Sequence, residues 1–283
     1  MTVDKFAIFI LTHGRPDNQK TLEALTTSGY TGEYYLVIDN LDSTKDEYYR
    51  LYGNHVLEFN KMEYVEKTDT GLTDPWINFA VFARNAIEDF AKCLGYRFFG
   101  MFDDDLLKFR FRYFENDQLL SLPVADLDSV ISSYVEFMEI SGIACSCFGV
   151  SNNFIGGKKN VKLYTQDSNS LRLCFNSYIR NGNFDVKWTP NMCEDRITSI
   201  FHNMRGQVWQ QLLFVQVDMA PLYGEIDGGN SSVYRSLDDF TKVFFPVVTN
   251  PGSNCICEWK NRLIDQVTED AICGRIVSGR YKK

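Results

Sequence analysis

Four apolar runs of strand length recur in the first third of the chain, and most run straight into polar side chains. Phe6 to Leu11 ends at Thr12-His13-Gly14-Arg15-Pro16, and the run over 34–38 ends at Asp39-Asn40. A short third run covers 56–59, and the run over 96–102 ends at Asp103-Asp104-Asp105. Helical stretches lie between them. The first covers 17–28, with Gly29 and Gly32 supplying the turn back. The second, over 45–52, is preceded by Asp42-Ser43-Thr44 and stopped by Gly53. The third runs over 76–94, where Ile77, Ala80, Val81, Ile87, Phe90, Ala91 and Leu94 keep helical spacing before Gly95. This alternation with short links predicts a right-handed, mainly parallel sheet covered by helices. Such sheets bind ligands at the carboxyl ends of their strands, where the polar residues above are expected to meet.

The second half is less regular and reads as α+β material. Helices are expected over 127–141 and 194–203, strands over 172–179 and 211–218, a loop over 154–157, and a polar helical tail from Glu258. No Pro/Gly/Ser-rich linker interrupts the chain, so one continuous domain is expected. Its first half would cover about 1–107, its second about 108–257, and its tail 258–283.

Composition narrows the function classes. Among 283 residues, 45% are hydrophobic and 23% charged, which excludes a mainly disordered chain. No apolar stretch reaches the length of a membrane span, and the N-terminal run lacks the basic flank of a secretion signal, so a cytoplasmic location is expected. The net charge of −8 argues against a general binder of polyanions. The Cys-x-Cys pairs 145/147 and 255/257 lack the spacing of a zinc knuckle, and the eight cysteines are expected as reduced thiols.

Several side chains are placed to carry chemistry. Three carboxylates just past an apolar strand repel one another, and a divalent cation is the simplest partner for them. The plain alternative is a solvated loop or a helix start that favours negative charge. Arg84 could neutralise a diphosphate or pair along its own helix with Glu88. Glu194-Asp195 could supply a general base or merely cap a helix. His13 lies in the first strand-to-helix loop, where a nucleotide would sit. Lys108, Arg110 and Arg112 alternate with Phe109, Phe111 and Tyr113, which would turn cations to one face and bury aromatics on the other.

Taken in order, Ile10 to Pro16, Ser28 to Gly32, Val37 to Asp39, Asp46 to Tyr48, Ala83 to Ala86, Leu94 to Tyr96 and Phe102 to Asp105 form a recognisable series. Phe154 to Gly157, Asn176-Ser177 and Glu194-Asp195 complete it. The series resembles the TET-associated glycosyltransferases, phage enzymes related in their core to GT-A glycosyltransferases. The resemblance covers about residues 6–250. It implies a GT-A-type α/β fold, with a nucleotide-binding sheet and an α+β acceptor-side half. It implies a UDP-sugar donor, with Mn²⁺ or Mg²⁺ on the diphosphate held by Asp105 and by Asp103, the latter nearer the ribose. Thr12, Arg15 and Asp39 would line the nucleoside pocket. Arg84 would lie near the diphosphate or base, so that Thr12, His13, Arg15, Asp39, Arg84, Asp103 and Asp104 form the donor-binding set. Glu194 or Asp195 would be the base of an inverting transfer. The implied acceptor is a hydroxymethylated pyrimidine in DNA, approached through a local groove of Lys108, Arg110, Arg112, Lys158, Lys159 and Lys162. Two other readings are carried with it: a non-DNA acceptor or a sugar already on DNA, and a non-catalytic binding module on the same scaffold.

Overall fold

The computed structural model describes residues 5–70, 79–116, 118–150, 164–165, 176–189, 193–220, 239–249, 254–259 and 262–267. The expected runs become β1 (Phe6–Leu11), β2 (Glu33–Asp39), β3 (Val56–Phe59) and β4 (Phe98–Asp103). The helices between them are α1 (Lys20–Thr27), α2 (Lys45–Tyr52), α3 (Lys61–Lys67) and α4 (Ala80–Cys93). The centres of β1 and β4 are buried along their length, which is why their sequences read as unbroken apolar runs.

These four strands lie in the order β3-β2-β1-β4, all parallel. The chain lays β1, β2 and β3 outward in one direction, then returns to place β4 on the free side of β1. The strand order therefore reverses between β1 and β4, and the crevice at that reversal is where open α/β sheets take ligands. Register pairs Leu11 with Asp103 across it.

The second half extends the same sheet instead of building a separate one. Its elements are β5 (Leu106–Glu115), β6 (Gln118–Pro123), α5 (Leu127–Ser141), β7 (Cys145–Val150), β8 (Tyr164–Thr165), β9 (Ser177–Asn181), α6 (Glu194–Met204) and β10 (Trp209–Met219). Beyond β4 the order continues β9-β7-β10-β5-β6, with β8 also on β10, making ten strands. β9 runs antiparallel to both neighbours, β7 and β10 are parallel, and β5 and β6 form an antiparallel hairpin at the edge. β10 shifts register between Leu212 and Gln216, which lets one strand pair first with β8 and then with β5. Phe102, Phe109 and Phe148 meet ring to ring at 5.7–6.2 Å, so β4, β5 and β7 share one aromatic core under α5.

The α/β expectation holds, with the parallel part concentrated in β1 to β4. Of the helical tail expected over 258–283, the described residues form strand, and 268–283 lie outside them. β11 (Asn254–Trp259) and β12 (Arg262–Val267) form an antiparallel hairpin that packs against α7 (Asp239–Thr249). The β-branched and aromatic residues Ile256, Trp259, Ile264 and Val267 favour extended chain there. The expected loop over 154–157 and the cations Lys158, Lys159 and Lys162 lie outside the described residues, as does the first half of the expected 172–179 strand, whose end enters β9. Among the described residues no helix is long and apolar enough to cross a membrane.

Candidate active site

The loop after β1 is tied to the acid triplet by short bonds. Thr12 Oγ1 donates to Asp104 Oδ2 at 2.7 Å, and an Arg15 guanidinium nitrogen reaches Asp104 Oδ1 at 3.0 Å. Tyr48 OH pairs with Thr12 Oγ1 and accepts from the Arg15 amide, both at 2.9 Å. Gln19 Nε2 donates to Thr12 Oγ1 and to the Arg15 carbonyl. Thr21 on α1 staples the turn itself, donating to the Asp103 carbonyl at 2.6 Å and accepting from the Leu106 amide at 3.0 Å. Asp104 is thus a buried tie between the β4 turn and the β1 loop. Burial raises its carboxyl above the usual range, against the pull of Arg15 and Thr12.

At the end of β2, Asp39 Oδ2 accepts from His13 Nδ1 at 2.8 Å and from Lys61 Nζ at 3.1 Å, while Oδ1 accepts from the Leu41 amide. Burial opposes its charge, yet His13 and Lys61 outweigh that and hold the carboxyl below its ordinary range. Gly14 adopts a left-handed φ of 70°, and its amide donates to Asp42 Oδ2 at 2.8 Å.

Arg84 is the centre of the third group. It is 2% exposed, with Nε on Glu194 Oε1 at 3.2 Å and a terminal nitrogen on Asp103 Oδ1 at 3.1 Å. The rings of Tyr178 and Trp188 lie 5.2 Å from its guanidinium carbon. Burial disfavours its charge, but Asp103, Tyr178, Glu194 and Asp195 together keep it above its ordinary pKa. The alternative pairing of Arg84 with Glu88 is not formed. Glu88 instead accepts from Arg180 at 2.8 Å and from Trp188 Nε1 at 3.1 Å. Asn85 grips the Trp188 backbone from both sides, accepting from its amide and donating to its carbonyl.

Glu194 and Asp195 open α6, after Cys193 in a left-handed conformation (φ 53°) that non-glycine residues seldom take. Glu194 is buried on Arg84, whereas Asp195 is half-buried and accepts from the Arg196 amide at 2.6 Å. Burial and the neighbouring Glu194 push the Asp195 carboxyl up to about 7. Burial likewise raises Asp103 and Asp105, with Arg84 opposing at Asp103 and Arg15 at Asp105. The Asn176 side chain also lowers Asp105, whose Oδ1 is buried with no hydrogen-bond partner. A model of the TET-Associated Glycosyltransferase family matches residues 6–220, well over half of the chain.

The chain belongs to the TET-associated glycosyltransferase family.

Solved structures similar to this glycosyltransferase include Mycobacterium tuberculosis glucosyl-3-phosphoglycerate synthase with Mn²⁺, UDP-glucose and phosphoglyceric acid. There the identity is 8% and the TM-score 0.48, over 93% of this chain and 89% of that one. TarS 1-349 of S. aureus is 12% identical with a TM-score of 0.43, over 75% of this chain and 60% of that one. GalNAc-T7 with UDP, GalNAc and Mn²⁺ is 11% identical with a TM-score of 0.47, over 77% and 44%. No curated protein sequence matches the chain.

The expected residues of this glycosyltransferase fall into one connected region. Thr12, Arg15 and Asp104 interlock, His13 joins Asp39, and Arg84 joins Asp103 to Glu194. Strand β5 is only partly as expected. Phe109 is buried, but Phe111 is 38% exposed beside Leu122 at 53%, because the hairpin outruns the core. Arg110 is tied to Asp218 at 2.6 Å. Lys61, Tyr178 and Trp188 went unnoticed in the sequence, and Tyr48 stands in the motif series without a role. Each looks like an ordinary core or surface residue, and only its partner across the fold marks it.

Proposed function

We propose that this glycosyltransferase moves a sugar from a UDP-sugar to the hydroxyl of a hydroxymethylated pyrimidine in DNA, with inversion, in the cytoplasm of a phage-infected cell. The observation that carries the reading is the Arg84 bridge, one buried guanidinium holding Asp103 at the end of β4 and Glu194 at the start of α6. It joins a diphosphate-side carboxylate to a base-side acidic pair. The segment 1–107 would serve the donor and 108–257 the acceptor.

Among the described residues no group of three or more His, Cys, Asp and Glu side chains forms a complete metal cage. A cation that keeps waters and takes phosphate oxygens needs only one or two carboxylates. The buried Asp105 Oδ1 lacks a partner, and all-oxygen ligation suits Mn²⁺ or Mg²⁺, so Asp105 and Asp103 fit that role. Bound there, the cation would neutralise the diphosphate and ease its departure. Thr12, His13, Arg15 and Asp39 would frame the nucleoside, and Asp104 would hold that frame to the β4 turn. Asp195 would take the proton of the acceptor hydroxyl while the new C–O bond forms and the sugar–phosphate bond breaks. Glu194, fixed on Arg84, would keep Asp195 in position. A flipped-out base would reach such a site more readily than a paired one.

A second reading keeps the transfer and changes the acceptor to a glycan, a protein, a free nucleotide or a sugar already on DNA. It is favoured by the net charge of −8 and by the Asp218 partner of Arg110. Nucleoside mass spectrometry separates the two. The protein is incubated with Mn²⁺, pooled UDP-sugars and DNA carrying both hydroxymethylpyrimidines. A nucleoside heavier by a pentose or hexose is the expected result. Donor hydrolysis without a new nucleoside would move the acceptor away from these bases.

A further inference from the structure

We propose that His13 Nε2 reads the nucleobase of the donor and selects bases with a ring N–H (uracil, thymine or guanine) over cytosine and adenine. The inference rests on the reading of this pocket as the donor nucleoside site.

The acids at the pocket are already occupied. Asp39 is 4% exposed and accepts from the Leu41 amide, His13 Nδ1 and Lys61 Nζ at 3.0, 2.8 and 3.1 Å. Asp42 is 2% exposed and accepts from the Gly14 amide and from the Thr44 amide and hydroxyl. Lys61 is buried on Asp39. Three of the roughly four acceptor sites of each carboxylate are filled and both side chains are buried, so an incoming base meets the exposed His13 first.

His13 is differently placed. Its side chain is 38% exposed, its Nδ1 is committed to Asp39 with Asp42 at 3.6 Å, and no described residue hydrogen-bonds Nε2. Asp39 is ionised and can only accept, so the hydrogen of the shared bond lies on Nδ1. In the neutral ring Nε2 then carries a lone pair and can only accept. Uracil and thymine offer N3–H and guanine offers N1–H. Cytosine N3 and adenine N1 offer lone pairs, which an acceptor repels. The Asp39 contact thus acts through the imidazole: it sets which nitrogen accepts and which way the ring faces.

Titration calorimetry with nucleoside diphosphates tests this without an acceptor. The full chain is titrated with UDP, GDP, CDP and ADP, each with Mn²⁺, at about pH 8. We expect UDP or GDP to bind at least about tenfold tighter than CDP and ADP, the scale of one hydrogen bond against a mismatched pair. N3-methyl-UDP should bind no better than CDP. His13→Ala should erase the preference by weakening the tight ligand, and His13→Gln, whose amide oxygen can stand in for Nε2, should restore part of it. A preference that survives His13→Ala, or full binding of N3-methyl-UDP, would overturn the proposal. Absence of binding by every diphosphate would remove the nucleoside-pocket reading as well. A failed transfer to DNA would leave the result untouched, because no acceptor is present.

Discussion

Asp195 combines a half-buried side chain, a short bond from the Arg196 amide and a carboxyl raised to about 7. A base must be deprotonated to act, so kcat/KM should rise as pH passes about 7 and level off above it. Asp195→Asn should lower kcat by about 10²- to 10⁴-fold and flatten that limb. The same substitution should stabilise the fold. The folded carboxyl titrates near 7 and an unfolded one near 3.9, so wild-type stability falls as pH rises between the two. Asn escapes this loss, so its melting temperature should exceed that of the wild type by a few degrees at pH 8 and match it near pH 4. Asp39 has the opposite sign. Its carboxyl is held low, so its contribution is present above the ordinary carboxylate range and is lost as pH falls through its folded value. Asp39→Asn should therefore narrow the stability difference between pH 6 and pH 3, as read by thermal melts. Asp105→Ala should remove the response of the melting temperature to Mn²⁺, with the turn still held by Thr21.

Helix α4 carries two loads on one buried side. Arg84 faces the acid groups, while Asn85 and Glu88 hold Trp188 against it. Trp188→Phe keeps a ring beside Arg84 but removes the Nε1–H that Glu88 accepts and part of the buried indole volume. Losing a bond to a charged group costs about 1.5–3 kcal/mol, so the melting temperature should fall by several degrees. If the ring orients Arg84, kcat should also fall about tenfold with little change in donor KM. Combining it with Arg84→Lys should then give less than the product of the two kinetic losses. Some elements were plain in the sequence and others were not, for physical reasons. β1 and the 98–102 part of β4 are buried on both faces and so carry no charged residue. β7, Cys145-Ser-Cys-Phe-Gly-Val150, is just as buried but carries small residues with weak strand preference. The β11–β12 hairpin is polar enough to resemble an exposed helix.

Across the whole molecule, charge and sheet edge decide how an acceptor could approach. The net charge of −8 repels a polyanion at long range, so DNA binding would rest on few local contacts. Lys108 is exposed on β5, while Arg110 is paired with Asp218. The salt dependence of DNA binding should be shallow, with a log–log slope near −2 to −3, and Lys108→Ala should reduce it by about 1. Arg110→Ala should change it less. Fluorescence anisotropy over a salt series measures both.

The acids at 103–105 and 194–195 could be found from sequence because their signal is local: charge density at a strand end and at a helix start. So could the alternation that builds β1 to β4, since hydrophobic period and caps act over a few residues. The sequence alone therefore determined the parallel half of the sheet and the stretches of chain bearing the clustered carboxylates. Partnership was decided by the tertiary structure. Arg84 meets Glu194 across 110 residues of chain, and Thr12 meets Asp104 across 92. Such pairs form only once the β1–β4 reversal and the extended sheet bring distant strand ends together. Which carboxylate is bound inward and which oxygen is left open depends on desolvation and on the donors nearby. Those exist only in the folded chain.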